Sequence, residues 1–129
     1  MKFNINQNDL QQSLGYCQGV IEKRSTLPIL SNILLDASGS KLKIIATDLD
    51  LVFVNEIKNV EIIEEGKTTT VSSTLYDIIR KFNSGKKINF NQTSENKIQL
   101  ESEKSIFNLN CLSATEFPVT EESFTANEF

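Results

Sequence analysis

The chain has 129 residues, of which 39% are hydrophobic and 23% are charged, a size and balance typical of one folded domain rather than a disordered segment. Its net charge of −4 argues against a protein that grips nucleic acid tightly over a large surface, and leaves room for one that touches it at a few cations. The chain contains no histidine, which removes the most common general base and metal ligand.

The sequence has no sign of a membrane or secretory segment. No apolar run approaches the roughly 20 residues that a membrane-spanning helix needs, and residues 2–6 alternate where a signal peptide would lead into an apolar core. Cys17 and Cys111 each fall in a core-facing pattern, which favours buried, reduced thiols, although the count alone leaves a disulfide open. Because reduced thiols are typical of the cytosol, we predict a cytoplasmic protein with no membrane partner.

The chain opens with a strand and an amphipathic helix. Residues 2–6 alternate with Phe3 and Ile5 inward, and Asn6 or Asn8 is a suitable N-cap for the helix. The apolar positions of the helix recur at helical spacing: Leu10, Leu14, Cys17, Val20 and Ile21. The opposite face is polar and includes two glycines: Gln11, Gln12, Gly15, Gln18 and Gly19. The glycines indicate either a close approach to the helix backbone or a helix held by packing.

A proline corner, Arg24–Asn32, follows the helix. Pro28 fixes its own φ, removes a donor and disfavours helical geometry at the residue before it, so the helix ends upstream. The apolar residues around the proline anchor the crossing into the sheet. Arg24 has two interpretations, a cap for the last helix carbonyls or a cation that reaches outward.

The rest of the chain repeats this order of elements. Residues 33–35, 41–45 and 51–57 are predicted strands, with a hairpin turn at 37–40 and an acidic edge strand and loop at 59–66. Residues 68–71 form a strand, and Ser72 or Ser73 is a suitable N-cap for a second helix. The apolar stripe of that helix is Leu75, Ile78, Ile79 and Phe82, with Tyr76 at its edge.

Three more alternating strands follow the second helix, at residues 87–90, 97–100 and 106–111. The chain is thus strand, helix and three strands, written twice. We predict an α+β fold in which this duplicated unit places two helices on one face of a curved antiparallel sheet.

No pattern indicates catalysis or a cofactor. The five glycines are scattered, and the cysteines lack metal-ligand spacing. Asp48 and Asp50 suggest a divalent-metal site, but Asp48 follows Thr47 in a tight bend, where side-chain bonding to the backbone is more common. We therefore predict no catalytic residue, no metal and no cofactor.

Both predicted helices end in basic residues. Lys23 and Arg24 close the first, while Arg80 and Lys81 lie in the last turn of the second, with Lys86 and Lys87 soon after. One interpretation is that these charges complement the helix dipoles, at about 0.3 to 1 kcal/mol per charge. The other is that they contact DNA phosphates without reading bases. The residue pattern does not choose between the two.

Several motifs resemble one family. The chain opens with M-K-F, continues with R-S-T-L-P-I-L-S-N at residues 24–32 and A-T-D-L-D at 46–50, and reaches C-L-S-A-T-E-F-P at 111–118. In this order they resemble the N-terminal domain of the bacterial DNA polymerase III β subunit, the sliding-clamp family. The resemblance implies one clamp domain at residues 1–123, the first of three. Residues 124–129 are then expected to be the truncated start of the next domain.

The resemblance implies a DNA-clamp-like fold whose helices line a central hole. It assigns DNA contact to Arg24 and Arg80, with Lys23 and Lys81 beside them; Ser73 stands where the family has a further basic residue. The implied function is a ring around duplex DNA that gives processivity to the replicative polymerase, without catalysis of its own. The implied partners are duplex DNA through its backbone, a second clamp subunit, and the polymerase and clamp loader through later domains.

The resemblance also assigns a subunit interface. The final strand, residues 104–110, would pair with the third domain of a second subunit in a head-to-tail homodimer, through Lys104, Ile106 and Phe107. The alternative for Phe107 is an ordinary core position, and exposure of Ile106 favours the interface. Without the later domains we expect no ring closure.

Two other functions compete with the clamp. One is a small β-rich module that binds a protein or ligand through an exposed edge strand. The other is an enzyme whose site combines Asp48 and Asp50 with Cys17 or Cys111. A basic concave face favours the clamp, whereas metal binding or a reactive thiol favours the enzyme.

Overall fold

The computed structural model describes residues 1–21, 32–47 and 52–117. In chain order the elements are β1 (Lys2–Asn6), α1 (Gln7–Ile21), β2 (Asn32–Ser38), β3 (Lys41–Thr47), β4 (Val52–Ile57), β5 (Val60–Glu64), β6 (Gly66–Val71), α2 (Ser72–Lys81), β7 (Lys87–Ser94), β8 (Lys97–Ser102), β9 (Ser105–Asn110) and a short 3-10 helix (Ala114–Glu116). The predicted α+β class with two helices is confirmed.

The strands divide between two antiparallel sheets, where the sequence predicted one curved sheet. The five-stranded sheet has the order β5-β1-β7-β8-β9, and the four-stranded sheet has the order β4-β3-β2-β6. The acidic segment predicted at residues 59–66 contains β5, which lies at an edge of the larger sheet as expected. Alternation along each strand does not reveal how strands are shared between sheets, which explains the difference.

The two halves of the chain exchange their first strands. β1, from the first half, pairs with β7 of the second, and β6, from the second half, pairs with β2 of the first. The segment after each set of three strands then returns to the first strand of its own half: β5 pairs with β1, and Leu112 bridges to Thr69 in β6. The predicted duplication is therefore built as an interlocked pair, which makes one core from both halves.

The core lies between the helices and the inward faces of both sheets. Equivalent positions of the two helices are buried, with Leu10 matching Leu75 and Leu14 matching Ile79. Where β1 pairs with β7, the rings of Phe3 and Phe90 stack with centroids 4.5 Å apart. A smaller cluster on the outer side of the four-stranded sheet consists of Leu34, Ile45 and Phe117.

Of the two N-cap predictions, one is confirmed and one is wrong. Asn6 caps α1, since its Oδ1 accepts a hydrogen bond from the Asn8 amide at 2.9 Å. The prediction that Ser72 or Ser73 caps α2 is wrong, because Val71 occupies the N-cap and makes no side-chain bond. The Ser72 hydroxyl is buried and donates to Gln18 of the other helix, so a tertiary partner takes the place of the cap.

Other local predictions are also tested. Gly39 adopts φ +63°, the left-handed geometry that the β2–β3 turn requires. Cys17 and Cys111 are free and buried, so the predicted burial of both thiols is confirmed. The proline corner up to Ser31 and the acids Asp48 and Asp50 lie outside the described residues. Within the described ranges, no helix is long and apolar enough to cross a membrane.

Candidate nucleic-acid and subunit interfaces

Two polar contacts lock α1 and α2 side by side in antiparallel directions. At one end, the buried side chain of Gln7 donates from Nε2 to the carbonyl oxygen of Ile79 at 2.9 Å. At the other end, the Ser72 hydroxyl donates to Gln18 Oε1 at 3.0 Å. Gln7 and Ser72 are the first residues of their helices, so the first residue of each helix donates the hydrogen bond to the other helix. The two helices therefore present one continuous layer.

The turn after α2 is fixed to the start of α1. The Asn8 side-chain oxygen accepts hydrogen bonds from the Ser84 hydroxyl at 2.9 Å and from the Gly85 amide at 2.8 Å. The Gln7 amide donates to the Lys86 carbonyl at 2.9 Å. Gly85 has φ +81°, a geometry that favours glycine. These bonds hold the basic segment that follows α2 against the N-terminal end of α1.

An open groove of about 660 Å³ runs along the helix layer. Its lining residues include no acid and no lysine or arginine: Gln7, Asn8, Gln11, Gln12, Gly15, Tyr16, Tyr76 and Ser84. Tyr16 is half-exposed, and its hydroxyl accepts a hydrogen bond from Gln12 Nε2 at 3.1 Å. A Cβ added at Gly15 would lie 3.6 Å from the Tyr76 hydroxyl, an ordinary contact distance. Tyr76 is thus the group that approaches the α1 backbone.

The cations of the helix layer lie at the C-terminal end of α2. Arg80 and Lys81 are exposed in its last turn, and Lys86 and Lys87 are exposed shortly after it. Arg80 places its guanidinium over the Tyr76 ring, 5.4 Å from the centroid, and its Nη1 lies 3.7 Å from Asp77 Oδ1. By contrast, α1 contains no lysine or arginine. The described part of the layer therefore combines an uncharged groove with one basic end.

The structure describes only two of the four residues predicted to contact DNA. Arg80 and Lys81 are exposed on α2, where a phosphate has access to them, whereas Lys23 and Arg24 lie outside the described residues. Ser73, which replaces a basic residue of the family pattern, is also exposed. Sequence reasoning missed the pairing of Arg80 with Tyr76 and Asp77, although the spacings of four and three residues place them on one helix face. The assignment of Lys23, Arg24, Arg80 and Lys81 to DNA contact stays a prediction.

The predicted interface strand lies at a sheet edge. β9 is the last strand of the five-stranded sheet, paired on one side with β8. Ile106 is 51% exposed, and Lys104 is exposed in the turn before the strand. Phe107 is half-buried and packs edge-on against Phe82 with ring centroids 5.4 Å apart. Phe107 therefore serves the core at least in part, while Ile106 is the exposed apolar residue of this edge.

The groups proposed for catalysis offer little chemistry where they are described. Burial raises the pKa of the Cys17 thiol to about 12, so the nucleophilic thiolate is not formed near neutral pH. Cys111 is buried, with its Sγ 3.5 Å from the Glu95 carbonyl oxygen. The described ranges contain no group of three or more histidine, cysteine or acidic residues that could hold a metal ion.

Comparison with known proteins gives one consistent match. Residues 1–121 match the family model described as DNA polymerase III beta subunit, N-terminal domain. The chain is 39% identical over 120 residues to a beta sliding clamp of Caulobacter vibrioides, covering 92% of this chain and 32% of that protein. It is 32% identical over 129 residues to the beta sliding clamp of Escherichia coli K12, covering 100% of this chain and 35% of that protein.

Solved structures agree with these relatives. The chain superposes on Caulobacter crescentus pol III beta with a TM-score of 0.84 at 39% identity, covering 94% of this chain and 32% of that one. It superposes on a Bartonella birtlesii sliding clamp bound to griselimycin with a TM-score of 0.85 at 35% identity, covering 93% and 32%. The chain thus spans about a third of the length of the relatives it matches.

Proposed function

The chain belongs to the family of the DNA polymerase III beta subunit, N-terminal domain, and on that premise we propose that it forms the first domain of a DNA sliding clamp. In this proposal residues 1–123 are that domain, and residues 124–129 begin the next one. The subunit joins a second copy head to tail in a ring around duplex DNA and keeps the replicative polymerase III on its template. The observation that carries the proposal is the family match over residues 1–121.

The helix layer supports loose contact with DNA. A groove lined by amides, tyrosines and glycine adds no charge, so the attraction to phosphates comes from Arg80 and Lys81, with Lys23 and Arg24 as the further predicted contacts. Few phosphate contacts give weak binding that salt readily screens. Contacts to the backbone also carry no base preference. A ring that holds DNA by enclosure needs this combination, since tight contacts would oppose sliding.

The β9 edge supports ring closure. An edge strand offers backbone N–H and C=O groups to another chain, and the exposed Ile106 adds apolar surface beside them. In the proposed ring, Lys104, Ile106 and Phe107 face the second subunit. Polymerase and clamp loader bind through domains beyond this chain. The proposed role includes no chemistry, and it places the protein in the cytoplasm, where the bacterial chromosome is replicated.

Binding of labelled duplex DNA to this chain, followed by fluorescence anisotropy across a salt series, tests the DNA-facing role. We expect weak, sequence-independent binding in which Arg80→Gln and Lys81→Gln each weaken the affinity about two- to threefold and lower the salt slope by about one. The matched control is Lys97→Gln, which removes the same charge from β8, where Lys97 donates to Asn110 at 2.6 Å. Equal losses for Lys81→Gln and Lys97→Gln, or no binding at low salt, would contradict the proposal.

A further inference from the structure

Asp77 lies beside the cation that the proposed function assigns to DNA. Its Oδ1 is 3.7 Å from Arg80 Nη1, and the two side chains are 65% and 56% exposed. The same guanidinium lies over the half-buried Tyr76 ring, whose hydroxyl would lie 3.6 Å from a Cβ added at Gly15 of α1. Tyr76 thus lies beneath the guanidinium, and Asp77 places a negative charge next to it.

Resting on the proposed function, we infer that Asp77 competes with a DNA phosphate for Arg80 and so lowers the affinity of the helix layer for duplex DNA. A phosphate that approaches the guanidinium meets the Asp77 carboxylate within a few ångströms and is repelled by it. The guanidinium must also weaken its pairing with Asp77 when it turns towards the phosphate. Both effects oppose binding without affecting the fold.

The size of this effect follows from the exposure of the pair. Exposed ion pairs contribute modestly because water screens them, which corresponds to a change in affinity of about two- to fivefold at most. The interaction extends little beyond the Debye length, about 10 Å at 0.1 M salt, so it weakens as salt rises. Asp77 therefore lowers the affinity for duplex DNA moderately, which suits a protein that must move along DNA.

The chain contains a matched control for this charge. Glu101 is an exposed acid in β8, where the neighbouring Leu100 points into the core and Glu101 therefore faces away from the helices. Glu101→Gln changes the net charge by the same amount as Asp77→Asn, but on the sheet face that points away from the helix layer rather than on α2 beside Arg80. A difference between the two variants reports the position of the acid rather than the total charge.

The experiment measures duplex DNA affinity of this chain at about 50 mM and about 200 mM salt for Asp77→Asn, Arg80→Gln, the double variant and Glu101→Gln. We expect Asp77→Asn to bind about two- to fivefold more tightly than the unsubstituted chain at the lower salt, with a smaller gain at the higher salt. Glu101→Gln should gain less than about 1.5-fold. In the Arg80→Gln background, Asp77→Asn should gain no more than Glu101→Gln, which a merely structural role for Asp77 does not predict.

Two results would overturn the inference, and they are distinguishable. If Arg80→Gln weakens binding but Asp77→Asn behaves like Glu101→Gln, Asp77 is no competitor and the proposed DNA contact stands. If Arg80→Gln leaves binding unchanged, the DNA contact of Arg80 fails, and the inference fails with it.

Discussion

The two halves of the chain, Met1–Glu64 and Gly66–Asn110, are alike in packing and unlike in surface. Each contributes a first strand to the other half, a helix that begins with a buried polar residue, and three strands in succession. The ninth and tenth residues of α1 are Gly15 and Tyr16, whereas those of α2 are Arg80 and Lys81. Duplication has therefore preserved the core, while the described helix cations belong to the second half alone.

The sheet edges differ in a similar way. β4 ends the four-stranded sheet and β9 ends the five-stranded sheet, at equivalent places in the two halves. The segment after β4 forms a full strand, β5, against β1, whereas the segment after β9 makes one bridge, from Leu112 to Thr69. The comparison shows that a repeated core can carry unequal surfaces, because exposed positions are free to change where packed ones are not.

Alanine substitutions at equivalent core positions should produce the largest losses of stability, and the losses should be similar in the two halves. Leu10 and Leu75 are the fourth residues of their helices and are 1% and 0% exposed. Leu10→Ala and Leu75→Ala should each lower the free energy of unfolding by about 2 to 5 kcal/mol, through lost burial and a cavity. Urea unfolding measures both, with the half-exposed Leu112→Ala as a control that changes it by less than about 0.5 kcal/mol. Loss in one half only would break the equivalence of the halves.

A smaller effect is expected at the polar joint between the helices. Gln7 is 2% exposed and donates to the Ile79 carbonyl, and its Nε2 also donates to Gln11 Oε1 at 2.7 Å. Gln7→Ala should cost about 1 to 3 kcal/mol, because the buried carbonyl loses this donor and the side chain leaves a gap. Gln12→Ala is the matched control, an exposed glutamine on the same helix, and should change stability by less than about 0.5 kcal/mol. Equal costs at both positions would show that the helices are not joined through Gln7.

Sequence reasoning recovered what depends on local periodicity. Patterns within a few residues predicted the hairpin turn at Gly39, the order of elements and the apolar stripe of α2, and the structure confirms them. In α1 it confirms the burial of Leu10, Leu14 and Cys17, while the side chains of Val20 and Ile21 lie outside the described part of the chain. The division into two sheets and the exchange of first strands depend on pairing between distant segments, which no local pattern records. The same reason explains the missed role of Ser72, whose partner Gln18 lies in the other helix.

The candidate sites were predictable in part. The exposure of Ile106 was the observation set to favour the interface that the family resemblance implied, and the basic end of α2 was expected from the position of its charges. The uncharged groove between the helices was not, because it is assembled from α1, Tyr76 of α2 and the turn at Ser84. Family resemblance supplied the assignment of these surfaces to DNA and to a second subunit, which residue chemistry alone did not choose.

The claim that β9 closes a ring is tested most directly by sedimentation velocity of a chimera. In it, residues 1–123 replace the matching region of the Caulobacter vibrioides beta sliding clamp. Ile106 in β9 and Ile63 in β5 are 51% and 49% exposed on opposite edges of one sheet, so Ile63→Asp is a matched control. We predict a dimer for the unsubstituted chimera and for Ile63→Asp. For Ile106→Asp we predict that the dimerisation affinity falls about tenfold or more, so that the dimer dissociates. A monomeric chimera, or equal dimerisation of all three proteins, would contradict the account.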